Sequence, residues 1–257
     1  MAAEAASITE DAVLGGRLRL RQPKRGHRVG HDAILLAAAT GGRAGEHAVD
    51  LGTGVGAAGL ALAARIPGLQ VTLVEIDAAL CGLAAENIVL NGFADRARAV
   101  VGDAVNVERL AAAGLTPGSI DRILMNPPFN SAVRHQASAE PGRHLAHTAN
   151  AGLLAAWVAT AAALLKPHGV LTLIWRADGL AEVRAALAGP FGGAAILPVL
   201  PREGADPIRV LVRAAKGGQG AEVSYPPLAL NDAHNRPTAA AEAVLRGGEA
   251  LALAALD

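Results

Sequence analysis

Apolar residues recur along this chain in short runs that alternate with helical patterns. From residue 47 the order is strand, glycine loop, helix and strand, repeated through HAVDLG, AAGLALAARI, LQVTLVEID, AALCGLAAENIVLNG and ARAVVGDA. Strands at this rhythm, with helices of about 10 to 15 residues between them, predict a parallel sheet covered on both faces. Two more strands, DRILMN and VLTLIW, continue the series on either side of a long helix that contains Trp157.

The later part of the pattern predicts a different pairing. AAILPVLP and PIRVLVRAA are typical of two strands joined by the short turn REGAD, which makes an antiparallel pair. We therefore predict an α/β fold with a doubly wound sheet that is mostly parallel and ends in a C-terminal antiparallel hairpin. From Gly217 onward, clusters of Gly and Pro give no clear pattern.

The segment before residue 47 contains one predicted strand and one predicted helix. The alternation RLRLRQ predicts a strand with one cationic face, and we expect the residues before it to be mobile. HDAILLAAAT predicts a helix with Asp32 at its N-cap. We divide the chain into an N-terminal extension (1–46), a core (47–215) and a C-terminal tail packed on or near that core (216–257).

Length and composition fit one compact cytoplasmic domain. Lys plus Arg and Asp plus Glu both number 23 in 257 residues, so no global field draws the protein to nucleic acid or to a membrane. The most apolar window, residues 151–165, is shorter than the roughly 20 residues of a membrane-spanning helix. The acidic start lacks the features of a secretory signal, and a single cysteine excludes an internal disulfide.

The loop VDLGTGVG places Gly52, Gly54 and Gly56 between the first strand of the core and its helix. Glycines allow a tight turn and a close approach of the backbone to a ligand. Glu75 ends the next strand, 23 positions after Gly52, where a carboxylate can accept both hydroxyls of a ribose. The spacing GxGxG in place of GxGxxG favours a ligand without pyrophosphate, although an ordinary tight turn is the alternative.

The third strand closes with VVGDAV, which puts Asp103 beside the first two loops, where it can accept a hydrogen bond from an adenine amino group. DLGTGVG, VEID, GDA and the passage LLKPHGVLTLI together resemble the class I S-adenosylmethionine-dependent methyltransferases. The resemblance implies a Rossmann-like fold and S-adenosylmethionine as the cofactor. The cofactor-binding residues that we expect in the core are Asp50, Gly52, Gly54, Gly56, Glu75, Asp103, Ala104 and Asn126.

The stretch NPPF follows the fourth strand, beside the same pocket. Prolines lack an N–H, so the turn presents carbonyl oxygens without a competing donor. Asn126 Oδ1 and the carbonyl of Pro127 would accept the two N–H groups of an exocyclic amine, Pro128 would contact the substrate, and Phe129 would stack on a planar acceptor. Such a motif is a feature of methyltransferases that modify N6 of adenine, N2 of guanine or the glutamine side chain of release factors. The alternative is a structural turn with Phe129 packed in the core.

HRVGHDAILLAAA resembles a segment of the bacterial adenine-N6 methyltransferases that modify valine tRNA next to the anticodon. In that family the segment folds over the cofactor, which implies cofactor-binding roles for Gly30 and Asp32, whereas His31 replaces the usual Thr. We expect a tRNA adenine-N6 methyltransferase. The alternatives are an rRNA guanine-N2 or a release-factor glutamine enzyme. We favour neither, because the upstream domain expected of each is not recognisable before the first core strand. A third alternative is a non-catalytic scaffold that binds the cofactor or RNA.

Phosphate contacts must come from local basic residues because the net charge is zero. The candidates are Arg17, Arg19, Arg21, Lys24, Arg25, Arg28, Arg134 and Arg143. For any one of them, a solvated edge strand protected by charge is an equal alternative. The chemistry requires no metal, and the sequence leaves the oligomeric state open between monomer and homodimer.

Overall fold

A nine-stranded sheet runs through the centre of the protein. The computed structural model describes residues 7–25, 28–128 and 141–255, and of residues 141–151 it describes the backbone alone. The sheet strands in these ranges are β3 (His47–Leu51), β4 (Gln70–Glu75), β5 (Ala97–Val101), β6 (Ile120–Met125), β7 (Leu165–Arg176), β8 (Phe191–Leu200), β9 (Arg209–Lys216), β10 (Val223–Ser224) and β11 (Leu228–Ala229). Two earlier strands, β1 (Ile8–Val13) and β2 (Leu18–Pro23), form a separate antiparallel hairpin.

Helices cover both faces of this sheet, as the repeated strand and helix pattern predicts. They are α1 (His31–Ala39), α2 (Ala57–Arg65), α3 (Ala78–Leu90), α4 (Val107–Ala112), α5 (Pro141–Leu164), α6 (Leu180–Leu187) and α7 (Ala239–Leu245). One buried cluster joins α1, α2, α3 and the hairpin to the sheet, and a second joins α4, α5 and α6 to the opposite face. Along β4, Leu73 faces the first cluster and Val74 the second, which is the two-residue period of a strand buried on both sides.

The strand order β5-β4-β3-β6-β7-β9-β8 confirms the doubly wound fold. Strands β3 to β7 pair in parallel, and β9 runs antiparallel to both β7 and β8. The chain starts at the central β3, moves outward to β5 and returns to β6 on the other side. This reversal opens a crevice at the carboxyl ends of β3 and β6, where ligands of such sheets bind.

The sheet continues beyond the predicted hairpin. Strands β10 and β11 both pair in parallel with the outer edge of β8, and α7 packs near α1. Two-residue strands have no detectable period, and they form here because β8 already presents an unpaired edge. The pattern of residues after Gly217 therefore does not predict these two strands.

The N-terminal hairpin confirms the strand with one cationic face. Leu18 and Leu20 of β2 are fully buried, whereas Arg19 and Arg21 are exposed. The expectation of a mobile start is wrong from Ile8 onward, because β1 pairs with β2 along its length. The acidic residues of β1 obscured its strand pattern. Glu10 forms ion pairs across the hairpin with Arg19 and Arg21, and Asp11 forms one with Arg28, which follows β2.

Candidate functional site

Four loops meet at the carboxyl edge of the sheet because the strands that precede them are parallel neighbours. The register pairs Leu51 of β3 with Val74 of β4 and with Met125 of β6. Gly52 and Asn126, the next residues of β3 and β6, therefore face the same crevice. The loops after β4 and β5 lie to one side, since Glu75 pairs with Val101.

The glycine loop between β3 and α2 has left-handed backbone at three positions. The φ angles are 69° at Gly52, 59° at Gly54 and 94° at Gly56. A Cβ on Gly52 would lie 2.3 Å from the ring of Trp157, so packing and φ both require glycine there. A Cβ on Gly54 would meet nothing within 4 Å, which leaves open space beside the backbone at the centre of the loop.

Asp50 of β3 binds this loop through hydrogen bonds and is almost completely buried. Its Oδ2 accepts hydrogen bonds from the Thr53 hydroxyl at 2.6 Å and from the Gly59 N–H at 2.8 Å. Burial raises the pKa of Asp50 to about 7, although these two hydrogen bonds oppose the rise. The cofactor-binding role expected for Asp50 stays a prediction, and its described contacts are with the loop and α2.

Glu75 lies at the end of β4 with only 8% of its surface exposed. Oε2 accepts the Gly54 N–H at 2.8 Å and Oε1 accepts the Asp77 N–H at 3.0 Å. These bonds fix the carboxylate, and each oxygen keeps a lone pair for a further donor such as a ribose hydroxyl. The side chain of Asp77 instead accepts from Ala79 and Leu80 as the N-cap of α3.

The loops after β4 and β5 combine a carboxylate, Asp103, with two exposed apolar side chains. Asp103 accepts the Val105 N–H at 3.0 Å, and Ala104 is buried. Ile76 is 65% exposed and Val105 41% exposed, although both are large apolar residues at this edge of the sheet. Sequence reasoning missed these two residues; the available signal was an apolar residue directly after Glu75 and another directly after Ala104.

Asn126 directly follows β6 and begins the NPPF turn. Its Oδ1 is buried and has no hydrogen-bond partner within the described part of the chain. Pro127 is buried and Pro128 is exposed, so the turn leaves the strand at this point. Phe129 and Arg134 lie outside the described residues, and of Arg143 in α5 the side chain is not described. The roles expected for these residues stay predictions.

The first turn of α1 lies at the same edge, since Asp32 makes an ion pair of 2.9 Å with Arg209 at the start of β9. Gly30, not Asp32, is the N-cap of α1, and it makes no side-chain cap. The prediction of Asp32 as the N-cap is therefore wrong; the carboxylate lies in the first turn, where the partial positive charge of the helix end also favours it.

Most basic candidates of the N-terminal segment contact other parts of the protein. Arg28 pairs with Asp11 at 2.7 Å, and Arg21 pairs with Glu86 at 3.1 Å. Arg17 donates to a backbone carbonyl and Arg19 pairs with a carboxylate of β1. Lys24 and Arg25 are exposed and make no side-chain contact of this kind in the described ranges.

The described residues contain no group of three or more His, Cys, Asp or Glu side chains placed to hold a metal ion. In the same ranges, no helix combines the length and the apolar character that crossing a bilayer requires.

The fold has clear counterparts among known proteins. A crystal structure from Agrobacterium tumefaciens, described as a predicted O-methyltransferase, superposes with a TM-score of 0.72 at 30% identity, covering 85% of this chain and 97% of that one. The sheet order and this likeness define a Rossmann-like methyltransferase fold. The model of the methyltransferase small domain matches residues 29–197. The chain belongs to the methyltransferase small domain family.

Two relatives of known name are methyltransferases with different substrates. A tRNA1(Val) (adenine(37)-N6)-methyltransferase of Porphyromonas gingivalis is 33% identical over 161 residues, which are 61% of this chain and 62% of that protein. A release factor glutamine methyltransferase of Chlorobaculum tepidum is 32% identical over 155 residues, 58% of this chain and 52% of that protein. The match thus spans only about half to three fifths of these relatives.

Proposed function

We propose that the chain is an S-adenosylmethionine-dependent N-methyltransferase that acts on an exocyclic amine, adenine N6 of tRNA. The buried Oδ1 of Asn126, which has no hydrogen-bond partner among the described residues, carries this proposal. A buried acceptor without a donor costs free energy, typically about 1 to 3 kcal/mol. Its position next to the glycine loop supports a ligand that brings an N–H to it.

The glycine loop and its neighbours fit S-adenosylmethionine. When bound, the cofactor supplies an electrophilic methyl group on a positively charged sulfur. Open space beside Gly54 admits the methionine part, and the fixed carboxylate of Glu75 accepts from the ribose. Asp103 accepts from the adenine amino group, and the exposed apolar surfaces of Ile76 and Val105 suit an adenine ring.

The NPPF turn holds the acceptor. The nitrogen of adenine N6 is a poor nucleophile because its lone pair is delocalised into the ring. Asn126 Oδ1 and the Pro127 carbonyl accept its two N–H groups and direct the lone pair toward the methyl group, while Pro128 and Phe129 contact the base. Positioning of this kind supplies about 7–11 kcal/mol of a barrier, and the proton released after transfer goes to solvent.

A tRNA acceptor is supported by the Porphyromonas gingivalis relative and by the segment around Gly30 and Asp32, which would close over the cofactor. An anticodon-loop base is already unpaired and costs less to splay out than a duplex base. The phosphate contacts that we propose are Lys24, Arg25, Arg134 and Arg143, and Arg28, which already pairs with Asp11, is the weaker candidate. On this proposal the enzyme works in the cytoplasm, with residues 47–215 as catalytic core, 1–46 as extension and 216–257 as tail.

The Chlorobaculum tepidum relative makes release-factor glutamine the second candidate acceptor. One assay separates the candidates: the purified protein is incubated with methyl-labelled S-adenosylmethionine and, in parallel, total tRNA, ribosomal RNA and a release factor. Nucleoside and amino-acid analysis should show N6-methyladenosine from tRNA. Label in protein glutamine or in N2-methylguanine would reject the tRNA assignment, and cofactor binding without any transfer would indicate a scaffold.

A further inference from the structure

Asn87 is a fully buried polar residue in α3 that has no place in the site described so far. Its Oδ1 accepts the backbone N–H of Arg21 at 2.7 Å. Its Nδ2 donates to the carbonyl of Arg21 at 3.0 Å and to the carbonyl of Val55 at 2.9 Å. Only this orientation of the amide satisfies all three backbone groups, so the side chain is fixed.

Asn91, one helical turn later, repeats the two hydrogen bonds that Asn87 makes to β2. Its Oδ1 accepts the Arg19 N–H at 2.9 Å, and its Nδ2 donates to the carbonyls of Arg19 and Asn87, both at 2.7 Å. Positions i and i+4 of a helix lie about 6 Å apart, close to the roughly 7 Å between alternate residues of a strand. Along the free edge of β2, the two amides therefore make the hydrogen bonds that a neighbouring strand would otherwise make.

Asn87 differs from Asn91 in its third hydrogen bond, which goes to the Val55 carbonyl. Val55 lies between Gly54 and Gly56, in a loop whose glycines would otherwise leave the backbone free to adopt many conformations. Each of its three central residues is held by a different buried side chain: Thr53 by Asp50, Gly54 by Glu75 and Val55 by Asn87. These side chains belong to β3, β4 and α3.

We infer that Asn87 is a positioning residue for the cofactor: by holding the Val55 carbonyl it fixes the glycine loop in the conformation that receives S-adenosylmethionine. This inference rests on the proposed cofactor. Asn87 also connects the N-terminal hairpin to the glycine loop, since the same amide binds Arg21 of β2.

Two matched substitutions test this role. Asn87→Asp and Asn91→Asp each keep the acceptor for β2 and replace the donor to two carbonyls by a carboxylate oxygen, but only Asn87→Asp affects the glycine loop. We expect Asn87→Asp to weaken binding of S-adenosylhomocysteine, measured by titration calorimetry, by about tenfold, and Asn91→Asp to leave the dissociation constant within about twofold of wild type. Hydrogen exchange of residues 52–59 should be faster in Asn87→Asp alone.

Equal affinity and equal loop exchange in the two variants would reduce Asn87 to an anchor of the hairpin and overturn the inference. If Asn87→Asp does not fold, the neutral pair Asn87→Ser and Asn91→Ser carries the same comparison. Failure of the wild-type protein to bind S-adenosylhomocysteine would reject the proposed cofactor, whereas the exchange measurement would still report whether Asn87 holds the loop.

Discussion

At the scale of single residues, the carboxyl edge of the sheet contains two kinds of polar side chain. Asp50 and Glu75 accept hydrogen bonds from the protein's own backbone and hydroxyl groups, so they shape the glycine loop. Asn126 Oδ1 is buried at the same edge and accepts none within the described residues. The first kind fixes the loop, and the second is the acceptor that our proposal assigns to the substrate amine.

This contrast leads to a prediction for Asn126→Ala. We expect methyl transfer to tRNA to slow by at least about 100-fold, because the acceptor amine loses one of its two hydrogen-bond partners in the transition state. Binding of S-adenosylhomocysteine should stay within about twofold of wild type. Thermal unfolding of Asn126→Ala beside wild type is the control for general disturbance of the turn. Unchanged transfer by Asn126→Ala would remove the NPPF turn from the mechanism.

A second prediction concerns Asp50, whose pKa rises to about 7 from an unfolded value near 3.8. Between these values the folded state binds more protons than the unfolded state, so the free energy of unfolding falls as the pH rises toward 7. A pKa change of one corresponds to about 1.4 kcal/mol, which urea unfolding can resolve. Wild type should lose more stability between pH 5 and pH 8 than Asp50→Asn, which keeps an oxygen acceptor for Thr53 and Gly59. Parallel pH profiles of the two proteins would contradict the raised pKa.

At the scale of elements, the N-terminal hairpin is part of the main core. Leu18 and Leu20 of β2 belong to the cluster under α1, α2 and α3, and the free edge of β2 is bound by the side chains of Asn87 and Asn91. The residues that sequence reasoning treated as an extension therefore contribute directly to the stability of the sheet's covering layer.

Replacement of Leu20 by Ala tests this contribution. A fully buried leucine in a packed cluster typically loses about 2–5 kcal/mol of stability on truncation. Arg19→Ala removes the neighbouring, exposed side chain and its ion pair with Glu10, which we expect to cost less than about 1 kcal/mol. Urea unfolding of both variants measures the difference. Similar small losses would mean that the hairpin folds independently of the core.

At the scale of the whole molecule, positive and negative charges balance, and in the N-terminal region they also lie close together. Acidic side chains of β1 and α3 neutralise Arg19, Arg21 and Arg28, so these residues are less available to RNA than their number in the sequence suggests. Lys24 and Arg25 follow β2 and are exposed without such partners in the described ranges. Affinity for tRNA should therefore depend on few cations.

This distribution predicts different effects for two double substitutions. Lys24→Ala with Arg25→Ala should weaken tRNA binding and lower the slope of log affinity against log salt concentration by about 1 to 2. Arg19→Ala with Arg21→Ala removes the same formal charge, but it should change the slope less because both side chains already have carboxylate partners. Filter binding at several salt concentrations measures both. A larger effect of the second pair would reverse the assignment.

The amino-acid sequence by itself determined the succession of β3 to β7 along the chain. It also placed the glycine loop, Glu75, Asp103 and the NPPF turn at the ends of their strands. Each of these is a local pattern: apolar periods, glycines that permit positive φ, and prolines that end a strand. The antiparallel pair β8 and β9 was equally accessible, because the short turn between the two strands decides their direction.

Only the tertiary structure decided which polar groups have partners. The Asp32 ion pair with Arg209, the bond from Asn87 to Val55 and the pairing of β10 and β11 with β8 all join residues distant in sequence. No local period encodes such contacts, since they depend on where the packed layers bring the side chains. The same reason explains why the sequence identified Asn126 as a candidate, whereas only the packed structure shows that its Oδ1 is buried without a donor among the described residues.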